Sequence, residues 1–165
     1  MAVIKIVKGD LLDAKEDVIA HQVNCRGVMG AGVAKQIREK WPYVYYRYRE
    51  CCYAHAIDPK ALLGYCQFVH LDGKTVNRNL IVANLFGQVE YGRGKSFTNE
   101  EGFRRTLSSM SFMLKNRSHN FKEPLATIAM PYKIGCGLAG GNWDNIYKII
   151  EEELTDFDVT LYELE

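Results

Sequence analysis

The chain contains no Cys-x-x-Cys pair, and its five cysteines, Cys25, Cys51, Cys52, Cys66 and Cys136, form an odd set. Neither a disulfide framework nor a zinc cluster fits that pattern, so a reducing cytoplasm is the expected setting, with no metal or cofactor called for. Long apolar runs are also missing. No stretch approaches the ~18 apolar residues of a membrane span, and "MAVIKIVKGD" lacks the apolar centre of a secretory signal. Nor is there an excess of one charge: 21 basic against 20 acidic residues leave a net charge of +1. That balance gives no global electrostatic case for nucleic acid or membrane, so any ligand must be read locally. Internal repeats and low-complexity segments are absent as well. What remains is a chain of 165 residues, 47% hydrophobic, suited to one domain over residues 1–165. Folding at this size buries roughly 70% of the unfolded surface.

Apolar runs and helical periods alternate. Val3 to Val7 and Val18 to Val23 are short and rich in β-branched residues, and Tyr65 to Leu71 with Asn79 to Phe86 form a strand pair joined at "DGK". Leu125 to Met130 and Asp158 to Leu164 bring the expected strands to six. A capping box in "TNEEGF" predicts a helix with Thr98 as cap and Glu101 reaching back, followed by Phe103, Leu107, Met110 and Leu114 on one buried face. A helix from about Val33 to Lys40 should stop before Pro42, and another should begin near Asn142, with Trp143, Ile146, Ile149 and Ile150 on one side. The tyrosine- and arginine-rich stretch Tyr43 to Ile57 reads as a helix across the sheet edge. Its rings suit either base stacking or, more commonly, a solvated amphipathic face. "EYGRGKSF" (Glu90 to Phe97) is the expected mobile loop. The order predicts an α/β fold with helices covering a mixed sheet.

Two segments repeat one arrangement. "VNCRGVMGAGVAKQI" and "ATIAMPYKIGCGLAGGNWDNIY" each run from strand through a glycine-rich loop into a helix. Many such loops merely turn. Glycine nevertheless lets backbone approach phosphate, the first N–H groups of a helix lack partners, and two such loops beyond neighbouring strands can clasp a diphosphate. Neither is an ordinary nucleotide cradle: there is no G-x-x-x-x-G-K-[ST], and "GVMGAG" (Gly27 to Gly32) is G-x-x-G-x-G rather than G-x-G-x-x-G.

These residues resemble a known family. The opening "VKGDLLDAKEDVIAHQVNCRGVMGAGVAKQIREKWP", the later "MPYKIGCGLAGGNWD" and the closing "VTLYEL" look like a macro domain, the ADP-ribose-binding module, over nearly the whole chain. The branch it is most similar to includes the terminal ADP-ribose protein glycohydrolase, the antitoxins of DNA ADP-ribosylating toxins, and small ADP-ribose-1''-phosphate phosphatases. The resemblance implies a three-layer α/β/α fold, with a central mixed six-stranded sheet and helices on both faces. It implies that Asp10 accepts from the adenine amine beside Leu11, that Tyr162 lines the adenine pocket, and that Asn24 faces the distal ribose. Gly30, Ala31, Gly32 and Val33 would lie against ribose and diphosphate, and Ile134, Gly135, Cys136, Gly137 and Leu138 would wrap the phosphates. His21 matches the histidine of the phosphatase branch, placed to activate water or protonate a leaving oxygen, with Asn24 beside it in the catalytic set.

Bland readings stand beside these. Asp10 also suits a turn or cap, Tyr162 a half-buried strand, and His21 a satisfied core histidine. Cys25 and Cys136 read as small loop residues without a neighbouring base. The glycohydrolase lysine and aspartate fall at Gly87 or Gln88 and at Ala139, while Lys95 and Asp144 stand nearby but displaced. The expected activity is therefore hydrolysis of ADP-ribose 1''-phosphate or a related derivative. Its rivals are removal of ADP-ribose from protein or nucleic acid, nucleic acid being a partner only if ADP-ribosylated, and a reader without chemistry.

Overall fold

The computed structural model describes residues 3–164. The outermost residues of the expected domain, 1–2 and 165, lie outside the described residues. Strands β1 (Ile4–Lys8), β2 (Val18–Val23), β3 (Cys66–Leu71), β4 (Leu80–Phe86), β5 (Ile128–Pro131) and β6 (Val159–Glu163) form a six-stranded sheet in the order β1-β6-β5-β2-β4-β3. Every neighbouring pair is parallel except β3 with β4. The expected Leu125 to Met130 strand starts late because Thr127 is held by Asp17: its N–H donates to Oδ2 at 2.9 Å.

The helices are α1 (Gly32–Lys40), α2 (Pro42–Ala54), the single turn α3 (Gly73–Val76), α4 (Glu100–Phe121) and α5 (Trp143–Glu153). Strand alternation sorts the core into two halves. Val18 and Ala20 of β2 join the buried faces of α4 and α5, whereas Ile19 and Val23 join Ile37 of α1 and Val44 and Tyr48 of α2. A strand covered on both sides needs an almost continuous apolar run, which "VIAHQV" supplies except at His21 and Gln22. The result is the three-layer α/β/α arrangement.

Phe103, Leu107, Met110 and Leu114 are all buried on α4, each contributing about 1.5–3 kcal/mol of apolar burial. The cap of that helix differs from expectation. Asn99, not Thr98, is the N-cap, its Oδ1 accepting from the Gly102 N–H at 2.7 Å, and Glu101 is exposed. Thr98 is occupied elsewhere, since its hydroxyl donates to the Gly135 carbonyl at 2.6 Å. Helix α1 ends at Lys40, and Pro42 opens α2 as its first residue, where a missing N–H costs nothing. The tyrosines of α2 divide: Tyr43, Tyr46 and Tyr53 are exposed, while Tyr48 is fully buried.

Candidate functional site

A cavity of about 520 Å³ opens beyond the carboxyl ends of β2 and β5, the position where an open α/β sheet binds ligands. One wall is the turn into α1, with Gly30, Ala31, Gly32 and Val33; the other is the loop after β5, with Ile134, Gly135, Gly137 and Leu138. His21, Gln22 and Asn24 close the β2 end, and Tyr91 and Arg93 reach in from the loop after β4.

The first turn of α1 has no side-chain cap: its N-cap is Ala31. By contrast α4 and α5 are capped by Asn99 and Asn142, the latter accepting from the Asn145 N–H at 3.1 Å. The free N–H groups of α1 therefore face the cavity wall and favour an anion. The opposite wall is shaped by backbone contact. Gly135 holds a left-handed φ of +74°, and a Cβ on Gly141 would fall 2.6 Å from the Gly135 carbonyl oxygen. Two charged residues line the cavity, Arg93 and Lys133, and no carboxylate does among the described residues. The chain is nearly neutral, yet this site is cationic.

His21 is 1% exposed. Its Nε2 lies 2.6 Å from Asn84 Oδ1, and burial pulls its pKa down to about 4 against the opposing hydrogen bond. The ring is thus neutral near pH 7. A neutral ring whose Nε2 is engaged by Asn84 is suited to accept a hydrogen bond rather than to give up a proton. Its Nδ1 has no partner, and neither does Gln22 Oε1; among the described residues these are the two buried side-chain polar atoms left open. Gln22 donates through Nε2 to Gln88 Oε1 at 2.8 Å and Thr98 Oγ1 at 2.9 Å, so its oxygen too is an unused acceptor.

Asn24 is more fully used than expected. Its Oδ1 accepts from the Arg26 N–H at 2.9 Å and lies 2.8 Å from the Tyr48 hydroxyl, while Nδ2 donates to the Val28 carbonyl at 2.8 Å. One amide hydrogen remains free, so Asn24 shapes the loop and can donate to a ligand, while its oxygen is occupied within the protein.

Three predicted residues stand outside the cavity lining, at the neighbouring end of the same sheet edge. Asp10 caps the short turn Leu11–Asp13, its Oδ1 accepting from the Leu12 N–H at 2.9 Å. Leu11 is buried beneath that turn. Tyr162 lies against Gly9 and donates its hydroxyl to Glu16 Oε1 at 2.6 Å. Tyr162 is the register partner of Pro131, which does line the cavity, so these residues stand one or two strands away from it. Cys136 also misses the lining; burial pushes its thiol up to about 11, and Cys25 up to about 12, which leaves neither as a thiolate nucleophile.

The displaced lysine and aspartate stay displaced. A Cβ at Gly87 would press on the end of the Gln22 side chain, Lys95 stacks its ammonium on Phe97 at 5.6 Å, and Asp144 is exposed on α5. Among the described residues no group of three or more His, Cys, Asp or Glu is placed to hold a metal ion. Sequence reasoning missed Gln22, Arg93 and Lys133. Gln22 was signalled as a polar break in an apolar strand, and Lys133 stands one residue before the loop that was singled out.

No protein-family model matches the chain. It is 28% identical over 166 residues to an ADP-ribose 1''-phosphate phosphatase of Meyerozyma guilliermondii, covering 92% of this chain and 94% of the relative. It is likewise 28% identical over 166 residues to the ADP-ribose glycohydrolase OARD1 of Homo sapiens, covering 98% and 91%. Its structure superposes on a macrodomain protein from Streptomyces coelicolor with a TM-score of 0.72 at 27% identity, over 97% of this chain and 98% of the other. Sheet order, layers and the two glycine loops at one edge define the macro-domain fold. The chain has that fold, and over nearly its whole length it is similar to macro-domain proteins.

Proposed function

We propose that the chain binds ADP-ribose along this sheet edge and hydrolyses a group carried on C1'' of the distal ribose, with the 1''-phosphate as first substrate. Adenine sits at the β1/β6 end, where the second carboxylate oxygen of Asp10 accepts from its amine and Tyr162 flanks the ring. The diphosphate lies between the uncapped turn of α1 and residues 134–138, with Arg93 and Lys133 countering its charge. The distal ribose reaches the β2 end, near His21, Gln22 and Asn24.

There a water held by His21 Nδ1 attacks phosphorus: the new O–P bond forms, the bond from phosphorus to the 1''-oxygen breaks, and the water's protons end on phosphate and the released ribose hydroxyl. A base of pKa about 4 is a weak proton sink, so His21 contributes chiefly by orienting that water. The observation that carries the proposal is a bare acceptor at the closed end of a cavity whose charged lining is wholly cationic. Five free thiols suit work in a reducing cytoplasm. Among the described residues no helix is long and apolar enough to cross a membrane.

The missing carboxylate favours a second reading, an ADP-ribose reader without chemistry. Release of ADP-ribose from protein or nucleic acid through a lysine and an aspartate has less support, because positions 87 and 88 hold glycine and glutamine and position 139 holds alanine. Phosphorus NMR of the protein with ADP-ribose 1''-phosphate separates these. Growth of free phosphate, abolished in His21→Ala with ADP-ribose affinity kept, is the expected result. Perturbed diphosphate signals without phosphate release would leave the reader, and unperturbed signals would overturn ADP-ribose binding.

A further inference from the structure

Three polar side chains cross the sheet in single file. His21 on β2 is the register partner of Asn84 on β4, and Asn84 is the partner of Gln67 on β3. All three are buried, at 1%, 0% and 7% exposure, on the face that packs against α2. Placing amides there is costly unless each finds partners, and an apolar trio would cost the core nothing. The hydrogen bonds form a chain: Gln67 Nε2 donates to the Arg47 carbonyl of α2 at 2.9 Å, and Asn84 Nδ2 donates to Gln67 Oε1 at 3.0 Å. His21 Nε2 meets Asn84 Oδ1 at 2.6 Å.

The direction of that chain is decided at its far end. A backbone carbonyl only accepts, so Gln67 must turn its NH₂ toward Arg47 and its oxygen toward Asn84. Asn84 must then turn its NH₂ toward Gln67, which presents Oδ1 to the imidazole. An amide oxygen only accepts, so Nε2 carries the hydrogen and the lone pair of the neutral ring falls on Nδ1. Nδ1 is the one atom of the chain without a partner, and His21 lines the cavity. Every other polar group in the file is satisfied within the protein.

We propose that Asn84 and Gln67 are positioning residues that, anchored on the Arg47 carbonyl, fix His21 in the Nε2–H tautomer and so present Nδ1 to the cavity as an obligate acceptor. The proposal rests on the functional reading above for what arrives at Nδ1, a water or hydroxyl that donates. The tautomer itself needs no ligand, so it is testable apart from any activity.

The test is long-range proton–nitrogen NMR of the full chain labelled with ¹⁵N-histidine, with His21 assigned among the four histidines by the His21→Asn variant. At pH 7 the wild type should show a protonated Nε2 and a bare Nδ1. A proton on Nδ1, or on both nitrogens, overturns the proposal. Gln67→Met removes the far anchor and frees the Asn84 amide to turn over, so the His21 signals should move to values averaged between tautomers. Gln67→Glu at pH 5, where a buried carboxyl keeps its proton and can donate to Arg47 while accepting from Asn84, should restore the single tautomer. A Gln67→Met spectrum with the wild-type tautomer, or mixing that Gln67→Glu does not reverse, would sink the relay. If turnover exists, Gln67→Met should lower kcat by roughly tenfold or more with KM unchanged. A fixed tautomer in a protein inactive on every ADP-ribose derivative would overturn the functional reading and leave the relay standing.

Discussion

An imidazole from which water has been removed couples the stability of the fold to acid. Unfolded, His21 takes up a proton near 6.5; folded, near 4, because burial disfavours the charged ring. Between these values the unfolded chain binds more protons, so stability is complete above about pH 6.5 and is lost as the pH falls toward 4. One site contributes a slope of at most about 1.4 kcal/mol per pH unit. His70, also shifted down by burial, has the same sign, so the difference against a variant is what isolates His21. Urea midpoints at pH 7 and pH 5 should separate more in wild type than in His21→Gln; equal separations would mean that the ring is solvated. Turnover, if present, should hold level down to about pH 5, since the acceptor form persists there, and an acid limb at the ordinary histidine value would contradict the buried neutral ring.

The glycine loops differ in how their residues serve. Gly137 has open space where a Cβ would go, and at Gly30 a Cβ would make only ordinary contact with Val28, at 3.5 Å. Both face the cavity. Gly137→Val should therefore weaken ADP-ribose binding by roughly tenfold or more, about 1.4 kcal/mol, with little change in Tm. Gly141→Ala, which drives a methyl into the Gly135 carbonyl, should lower Tm as well. Calorimetric titration beside thermal melts checks both, and a destabilised Gly137→Val would show that the loop needs that residue for folding. The strands, both glycine loops and the α4 core face were legible in the sequence because each is a local pattern of period or composition. The cap of α4 was misread by one residue because the Thr98 hydroxyl is claimed by Gly135, thirty-seven residues away. The burial of Tyr48 and the file from His21 to Gln67 depend on strand order, which no local pattern encodes.

At the scale of the molecule, charge is balanced overall, while the two charged residues that line the cavity are both cations. Attraction for a diphosphate should accordingly be a short-range property of Arg93, Lys133 and the α1 turn rather than of a long-range field. Screening shortens from about 10 Å at 0.1 M salt to about 3 Å at 1 M, so ADP-ribose affinity should fall several-fold over that range, and less so in the Arg93→Gln, Lys133→Gln double variant. An equal decline in both would assign the salt effect to other groups. Helix α2 lines no part of the cavity, yet consecutive residues on it reach both polar groups at the β2 end: the Arg47 carbonyl through Gln67 and Asn84, and the Tyr48 hydroxyl directly at Asn24. Inserting one residue ahead of position 47 would rotate both anchors by about 100° around the helix axis. The length of this helix is thereby tied to chemistry at the carboxyl end of β2, two strands in from the sheet edge, while its outward tyrosines and arginines are left free to diverge.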